Sequence, residues 1–228
     1  METNLSLNQN QLKIIALISM TVDHVGMLLF PHVQLFRIIG RLAFPIFAYM
    51  IAEGCTYTRN RGKYLAQMVS LALVCQLVYF FAMGSMYMCV LVTFSLSMGL
   101  IYAIDLGRSR KGLFWAVPIG MLALVFILTT VLPRLLSGTD YGIDYDFWGV
   151  MLPVFAYLGT YKKDKFALFS AGMILLNRSF GGIQWYSIAA LLPIYLYDGT
   201  RGKKKMKYLF YIYYPAHLVA LHFLSQIL

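Results

Sequence analysis

The chain is poor in charge. Only 12% of its 228 residues are Asp, Glu, Lys or Arg, against about 25% in an average soluble domain. So few charges could not cover a globular surface in water, which excludes an ordinary soluble fold. Cysteine is scarce too: Cys55, Cys75 and Cys89 are odd in number and form no CxxC pair, so neither a disulfide framework nor a metal site is indicated. No small-residue cleavage site follows the first apolar run, which Asp23 and His24 interrupt, so a cleaved leader is not expected. No internal repeat relates the two halves, although many secondary transporters carry one. Acidic residues number nine against nineteen basic ones, a net charge of +10. The basic residues sit in short clusters between apolar runs, the pattern of cytoplasmic loops rather than of a nucleic-acid surface. Such clusters also attract anionic lipid headgroups.

What the chain has in abundance is apolar sequence, at 60% of residues. A membrane-spanning helix needs roughly 20 apolar residues, and the chain divides into nine such runs. They cover about Leu12–Phe30, Gln34–Gly54, Tyr64–Met83, Tyr87–Leu106, Leu113–Leu132, Phe147–Thr160, Phe166–Phe180, Ile183–Tyr197 and Tyr208–Ile227. The sixth to eighth are short, so one of them could be re-entrant. The expectation is a single all-α transmembrane domain, 1–228, with no room for a soluble domain. Tyr195, Tyr197, Tyr208 and Tyr211 suit interfacial anchors.

The loops set the orientation. Basic clusters follow every even-numbered span: Arg59, Arg61 and Lys63; Arg108, Arg110 and Lys111; Lys162, Lys163 and Lys165; Arg201, Lys203, Lys204, Lys205 and Lys207. Loops after odd-numbered spans carry almost none, and the one after span five is acidic, with Asp140, Asp144 and Asp146. Basic loops stay inside, so a multi-pass protein of the cell membrane is expected, with its N-terminus inside and its C-terminus outside.

Charged groups within a bilayer are costly and usually functional. Lys13, Asp23, His24, Arg37, Arg41 and Glu53 crowd into the first two spans. Lys13 and His24 are eleven residues apart, which at about 100° per residue is nearly one helix face, with roughly 16 Å between them. Arg37 and Arg41 stand at i and i+4 on one face. By the same rise, His24 and Arg41 fall at similar depth, just outside the bilayer centre, and Lys13 and Glu53 fall near the cytoplasmic face. Pro45 has no N–H for the Arg41 carbonyl, so a kink is expected there. Bland roles stand beside the functional ones. Lys13 could snorkel, Glu53 could pair with a basic loop, and Asp23 is expected to pair with an arginine of span two rather than to orient His24. A second cluster comprises Asn177, Arg178, Tyr214 and His217. There Arg178 could be an outer-edge anchor, and His217 fits a site or a structural role. His32, at the outer interface, is expected to be inert, and His222 to be a packing residue of the last span.

Three stretches carry a resemblance: LKIIALISMTVDHVG (Leu12 to Gly26), FRIIGRLAFPIFAYMIAEGCTYTRNRGKYL (Phe36 to Leu65) and KKMKYLFYIYYPAHL (Lys204 to Leu218). They resemble the TraX family, named for a conjugation protein that acetylates the amino terminus of pilin. A more distant similarity reaches the multi-span membrane acyltransferases that acetylate surface sugars. Those carry a basic residue, ten intervening residues and a His on the first helix, a spacing that Lys13 and His24 match. Their paired arginines are three apart on a later helix, whereas Arg37 and Arg41 are four apart on span two. The resemblance implies acetyl-CoA or a similar acyl-CoA as donor and an unknown peptide, sugar or small-molecule acceptor. His24 would then be the general base, with Asp23 and Arg41 in the catalytic group. Arg41 or Arg37 would stabilise the oxyanion, and Lys13, Arg37 and Arg41 would hold the donor, with the basic loops at its phosphates. No nucleic acid or metal is expected. A proton-coupled small-molecule transporter using Asp23, His24 and Glu53, and a non-catalytic scaffold, remain alternatives.

Overall fold

A computed structural model describes residues 6–202, 213–217, 219–221 and 223–224. The cluster Lys203, Lys204, Lys205 and Lys207, the anchors Tyr208 and Tyr211, and His222 lie outside the described residues. Among the described residues the structure is helical, with two isolated bridges, Leu7 with Tyr197 and Met88 with Ile143, as its β-type pairings. Its helices are α1 (Gln9–Leu28), α2 (Gln34–Gly40), α3 (Ala43–Tyr57), α4 (Arg61–Met83), α5 (Val90–Arg110), α6 (Ala116–Phe126), α7 (Leu132–Leu135), α8 (Asp146–Leu158), α9 (Lys162–Phe180) and α10 (Leu191–Tyr195). Short 3-10 helices cover Gly112–Trp115 and Gly182–Ala190, and a π-helical turn covers Ile127–Val131.

Among the described residues five stretches are long and apolar enough to cross a membrane: Gln9–Leu28, Gln34–Tyr57, Arg61–Phe81, Val90–Arg110 and Gly112–Leu135. They correspond to the first five apolar runs. Many of their large side chains point outward, including Leu35, Leu73, Phe81, Leu113 and Ile119, as lipid-facing surface requires. The later helices are different. α8 is apolar but only 13 residues long. α9 opens on Lys162, Lys163, Asp164 and Lys165 and ends near Asn177 and Arg178. The eighth run is a 3-10 helix leading into α10, where a single α-helix was expected.

The chain divides into two compact units, Met1–Met50 with Asn177–Leu228, and Ile51–Leu176. In the first unit α1 starts from a capping box, Asn8 with Gln11, which satisfies two otherwise orphaned N–H groups. The segment before it is tied down by Leu7 N–H to the Leu196 carbonyl (2.9 Å), Asp198 N–H to the Leu7 carbonyl (2.9 Å) and Gln9 N–H to the Thr200 carbonyl (2.8 Å). α1 and α2 pack closely because two glycines let them. A Cβ at Gly26 would overlap Phe36, and one at Gly40 would overlap the Asp23 carboxylate.

In the second unit α5 is central, with α4, α6 and α8 around it. Leu91, Phe94, Met98 and Ile101 form its buried stripe. Its buried hydroxyls are bonded: Thr93 to the Asp144 carbonyl (2.6 Å) and Ser97 to the Val150 carbonyl (2.8 Å). The π turn in the fifth apolar run precedes Pro133, whose missing N–H leaves the Thr129 carbonyl without its i+4 donor; the Thr129 hydroxyl donates to the Val125 carbonyl at 2.7 Å. Glu53 pairs with Lys165 at 2.7 Å, with 6% and 11% side-chain exposure. Its partner thus comes from the basic cluster after the sixth run, which forms the first turn of α9. In the acidic loop Asp140 accepts from Ser85 Oγ (2.6 Å) and the Met86 N–H (3.0 Å), which hold its carboxyl below the usual carboxylate range.

Candidate functional site

The expected kink near Pro45 takes the form of a break. α2 ends at Gly40, Arg41 and Leu42 form a turn, and α3 restarts at Ala43. Pro45 therefore lies in the first turn of α3, where its missing N–H is no loss. The break places two guanidinium groups against α1. Arg37 Nη1 donates to Asp23 Oδ2 at 2.7 Å and Arg41 Nη2 to Asp23 Oδ1 at 3.0 Å. Asp23 thus takes the arginines of α2, as its position on the helix implies. Arg41 also donates Nε to the Arg37 carbonyl (3.3 Å) and Nη1 to Gln184 Oε1 (3.2 Å). The Arg41 side chain is 13% exposed, so these bonds compensate a charge that would otherwise be expensive to bury.

His24, one residue on from Asp23, meets His217. His24 Nδ1 lies 3.1 Å from His217 Nε2, and the ring centroids are 5.0 Å apart. The bonding partners settle where the protons sit. His217 Nδ1 is 2.8 Å from the Tyr213 carbonyl, which only accepts, so that nitrogen carries a hydrogen. In the neutral pair His217 Nε2 is then an acceptor, and His24 Nδ1 must donate to it. The lone pair of His24 is left on Nε2. Tyr213 stacks on His217 with centroids 5.1 Å apart, and Tyr214 meets the same ring edge-on at 5.6 Å. The Thr21 hydroxyl donates to the Leu17 carbonyl (2.9 Å), so the Tyr213 hydroxyl donates to Thr21 Oγ1 (2.6 Å) and ties the segment to α1.

The sequence treated His24 and His217 as parts of two clusters; in the structure they are one. Asn177, from the other end of the chain, is fully buried at the end of α9 and accepts from Ser187 Oγ at 2.9 Å. Arg178 is exposed. Lys13 is half-buried on α1. Gln184, Ser187 and Thr21 escaped the sequence reading. Each is neutral, so the cost of a charge in a bilayer, which singled out Asp23, Arg37 and Arg41, did not apply. Among the described residues no group of three or more His, Cys, Asp or Glu side chains could hold a metal ion.

These features define an all-helical chain with several helices fit to cross a membrane and a cluster of polar groups built around its first helix. Residues 8–225 match the family described as TraX protein, and the chain belongs to the TraX family. It is 24% identical over 259 residues, 97% of either chain, to a probable fimbrial assembly protein FimC, serogroup H1, of Dichelobacter nodosus. It is also 49% identical to an uncharacterized protein of Rickettsia prowazekii (strain Madrid E) over 41 residues, 18% of this chain and 16% of that one. No solved structure matches it significantly.

Proposed function

We propose that this chain is an enzyme of the cell membrane that transfers an acetyl or similar acyl group from cytoplasmic acyl-CoA to an amine or hydroxyl acceptor, with His24 as general base. The observation that carries this reading is the hydrogen-bonded pair of histidines, which leaves a lone pair on His24 Nε2. A neutral imidazole is the side chain suited to accept a proton near pH 7. In the reaction the acceptor nitrogen or oxygen forms a bond to the acyl carbon as its proton passes to His24 Nε2. The carbon–sulfur bond breaks, and His24 returns the proton to the departing thiolate. The ionic group of Asp23, Arg37 and Arg41 supplies positive charge for the oxyanion. Lys13 and the basic loops serve the donor's phosphates, and Arg37, with 27% side-chain exposure, is available to them. The fimbrial name of the Dichelobacter relative favours the amino terminus of a fimbrial subunit as acceptor.

The same reading places nine spans in the membrane, with the N-terminus inside and the C-terminus outside. The strict alternation of basic loops supports it. The eighth run gains length from its geometry: a 3-10 helix rises about 2 Å per residue against about 1.5 Å in an α-helix.

The test is transfer of labelled acetyl from acetyl-CoA by the purified protein, in the presence of a membrane extract, compared with His24→Ala. Loss of a general base lowers the rate by about 10²–10⁴-fold. A folded His24→Ala protein that binds acetyl-CoA and turns over near-normally overturns the assignment of His24.

A further inference from the structure

Gln184 stands in a position that the reading above does not use. It lies in the 3-10 helix Gly182–Ala190 and is 4% exposed. Its Oε1 faces Arg41 Nη1 at 3.2 Å. A guanidinium only donates, so the orientation of the amide is fixed: the oxygen must face Arg41, and the NH2 group must point elsewhere. Among the described residues, that buried Nε2 has no hydrogen-bond partner. A second buried amide, Asn177 of α9, is bonded to the same 3-10 helix. Residues three apart eclipse in a 3-10 helix, so Ser187 shares the face of Gln184. Ser187 donates to Asn177, whose Nδ2 is likewise buried and without a partner among the described residues. Buried amide donors without partners are rare because they are costly, and one whose oxygen is held by a half-buried arginine points to a ligand that accepts.

Charge narrows the class of ligand. Two arginines share the Asp23 carboxylate, and Gln184 adds a single neutral donor beside Arg41. That suits one oxygen that gains up to one negative charge better than it suits a multiply charged phosphate. We propose that Gln184 is a catalytic residue whose Nε2 donates to the carbonyl oxygen of the acyl thioester and to the oxyanion formed from it, with Arg41 as the residue that aims it. This rests on the acyl-transfer reading and assigns the acyl carbonyl to a place: the 3-10 helix beside Arg41. Donors aimed where charge develops act on the chemical step more than on ground-state binding.

The experiment compares two unreactive CoA analogues on the full chain in detergent. In one, CH2 replaces the sulfur of acetyl-CoA, so the carbonyl stays in place and transfer is impossible. The other, S-ethyl-CoA, has no carbonyl. The wild type is expected to bind the ketone more tightly, by about tenfold. Gln184→Leu and Gln184→Glu are expected to lose that preference, keep wild-type affinity for S-ethyl-CoA, and lose about 10²–10³-fold in kcat with acetyl-CoA, the effect of removing one oxyanion donor. The glutamate keeps the shape and the contact with Arg41 but cannot donate when ionised, so it guards against a leucine variant that fails to fold. Variants that bind S-ethyl-CoA and retain the ketone preference or near-normal kcat overturn the role of Gln184 and leave the acyl-transfer reading standing. Loss of S-ethyl-CoA binding in both variants makes Gln184 a scaffold residue and also overturns the proposal. A wild-type protein that binds neither analogue removes the acyl-CoA reading and this inference together.

Discussion

Asp23 is the hinge of the ionic group, and its replacement by Asn is a measurable perturbation. The substitution keeps the shape and one acceptor oxygen but removes the charge that two guanidinium groups share, at 2.7 and 3.0 Å. Unit charges about 4 Å apart at an effective dielectric of about 20 attract by about 4 kcal/mol before desolvation is deducted. Fully exposed pairs are worth about 0–1 kcal/mol, whereas breaking a buried pair costs about 3–5 kcal/mol. The side chains here are 16% exposed for Asp23, 27% for Arg37 and 13% for Arg41, nearer the buried limit. Asp23→Asn is therefore expected to destabilise the protein by about 2–4 kcal/mol. Arg41→Gln should cost more than Arg37→Gln, because Arg41 is less exposed and also holds Gln184. The assay is unfolding of the purified protein in mixed micelles by SDS titration, followed through tryptophan fluorescence; Trp185 adjoins Gln184 in the sequence. A double-mutant cycle between Asp23→Asn and Arg41→Gln should give a coupling of at least about 1 kcal/mol. Purely additive effects, or an Asp23→Asn loss below about 0.5 kcal/mol, the range of ordinary surface substitutions, would refute the reasoning.

Three further outcomes follow from the geometry. Gly40→Ala would drive a Cβ into the Asp23 carboxylate and is expected to cost about 1–3 kcal/mol by overpacking in the same assay, whereas Gly138→Ala, with nothing within 4 Å, should fall within about 0.5 kcal/mol. His217→Phe removes the acceptor that fixes the proton on His24 Nδ1; acyl transfer should fall by less than the 10²–10⁴-fold expected for the base itself, with an altered pH profile, and should fall no further when added to His24→Ala. For topology, a cysteine at Gly138 should react with an impermeant thiol reagent from outside, and one at Tyr161, 74% exposed in the loop after the sixth apolar run, should not. The three native cysteines are buried, which keeps the background low, and the reverse labelling pattern would overturn the orientation.

The sequence made the ionic group legible because charge in a bilayer is expensive. Arg37 and Arg41 at i and i+4, facing Asp23 on a neighbouring helix, had few other ways to be compensated. The proline signal was legible in kind but not in form. Pro45 forbids a bond from residue 45 to the Arg41 carbonyl, and the chain answers with a new helix start at Ala43 rather than a bend. Glu53 pairs with Lys165, 112 residues away, in the basic cluster that opens α9, and nothing local in the sequence could select it. His217 is 193 residues from His24, and only tertiary packing joins them. Gln184 was hidden twice over, being neutral and lying in a stretch whose 3-10 geometry has no periodicity of its own to read.

The ionic architecture also bears on how the protein could move protons. A relay along Asp23, His24 and Glu53 would require each carboxylate to be neutralised in turn. Asp23 is bonded by two guanidinium groups, and Glu53 by Lys165, which also lies 5.6 Å from the centre of the Tyr57 ring. Neutralising either would strand a cation at a poorly solvated position, a cost of about 3–5 kcal/mol where burial is complete. That is steep for a step repeated in every transport cycle. Protonating the imidazole pair breaks no ion pair. Among the described residues, His24 Nδ1 and both nitrogens of His217 are bonded in the neutral pair, and a proton arriving at His24 Nε2 displaces none of those bonds. Carboxylates fixed in ion pairs, with a separate imidazole pair as the available base, favour local proton transfer to and from a bound substrate over passage of protons along a chain. Proteoliposomes separate the two: proton-driven uptake without CoA that is lost in both Asp23→Asn and Glu53→Gln would favour the relay, whereas acyl transfer that survives Glu53→Gln and fails in His24→Ala would favour the enzyme.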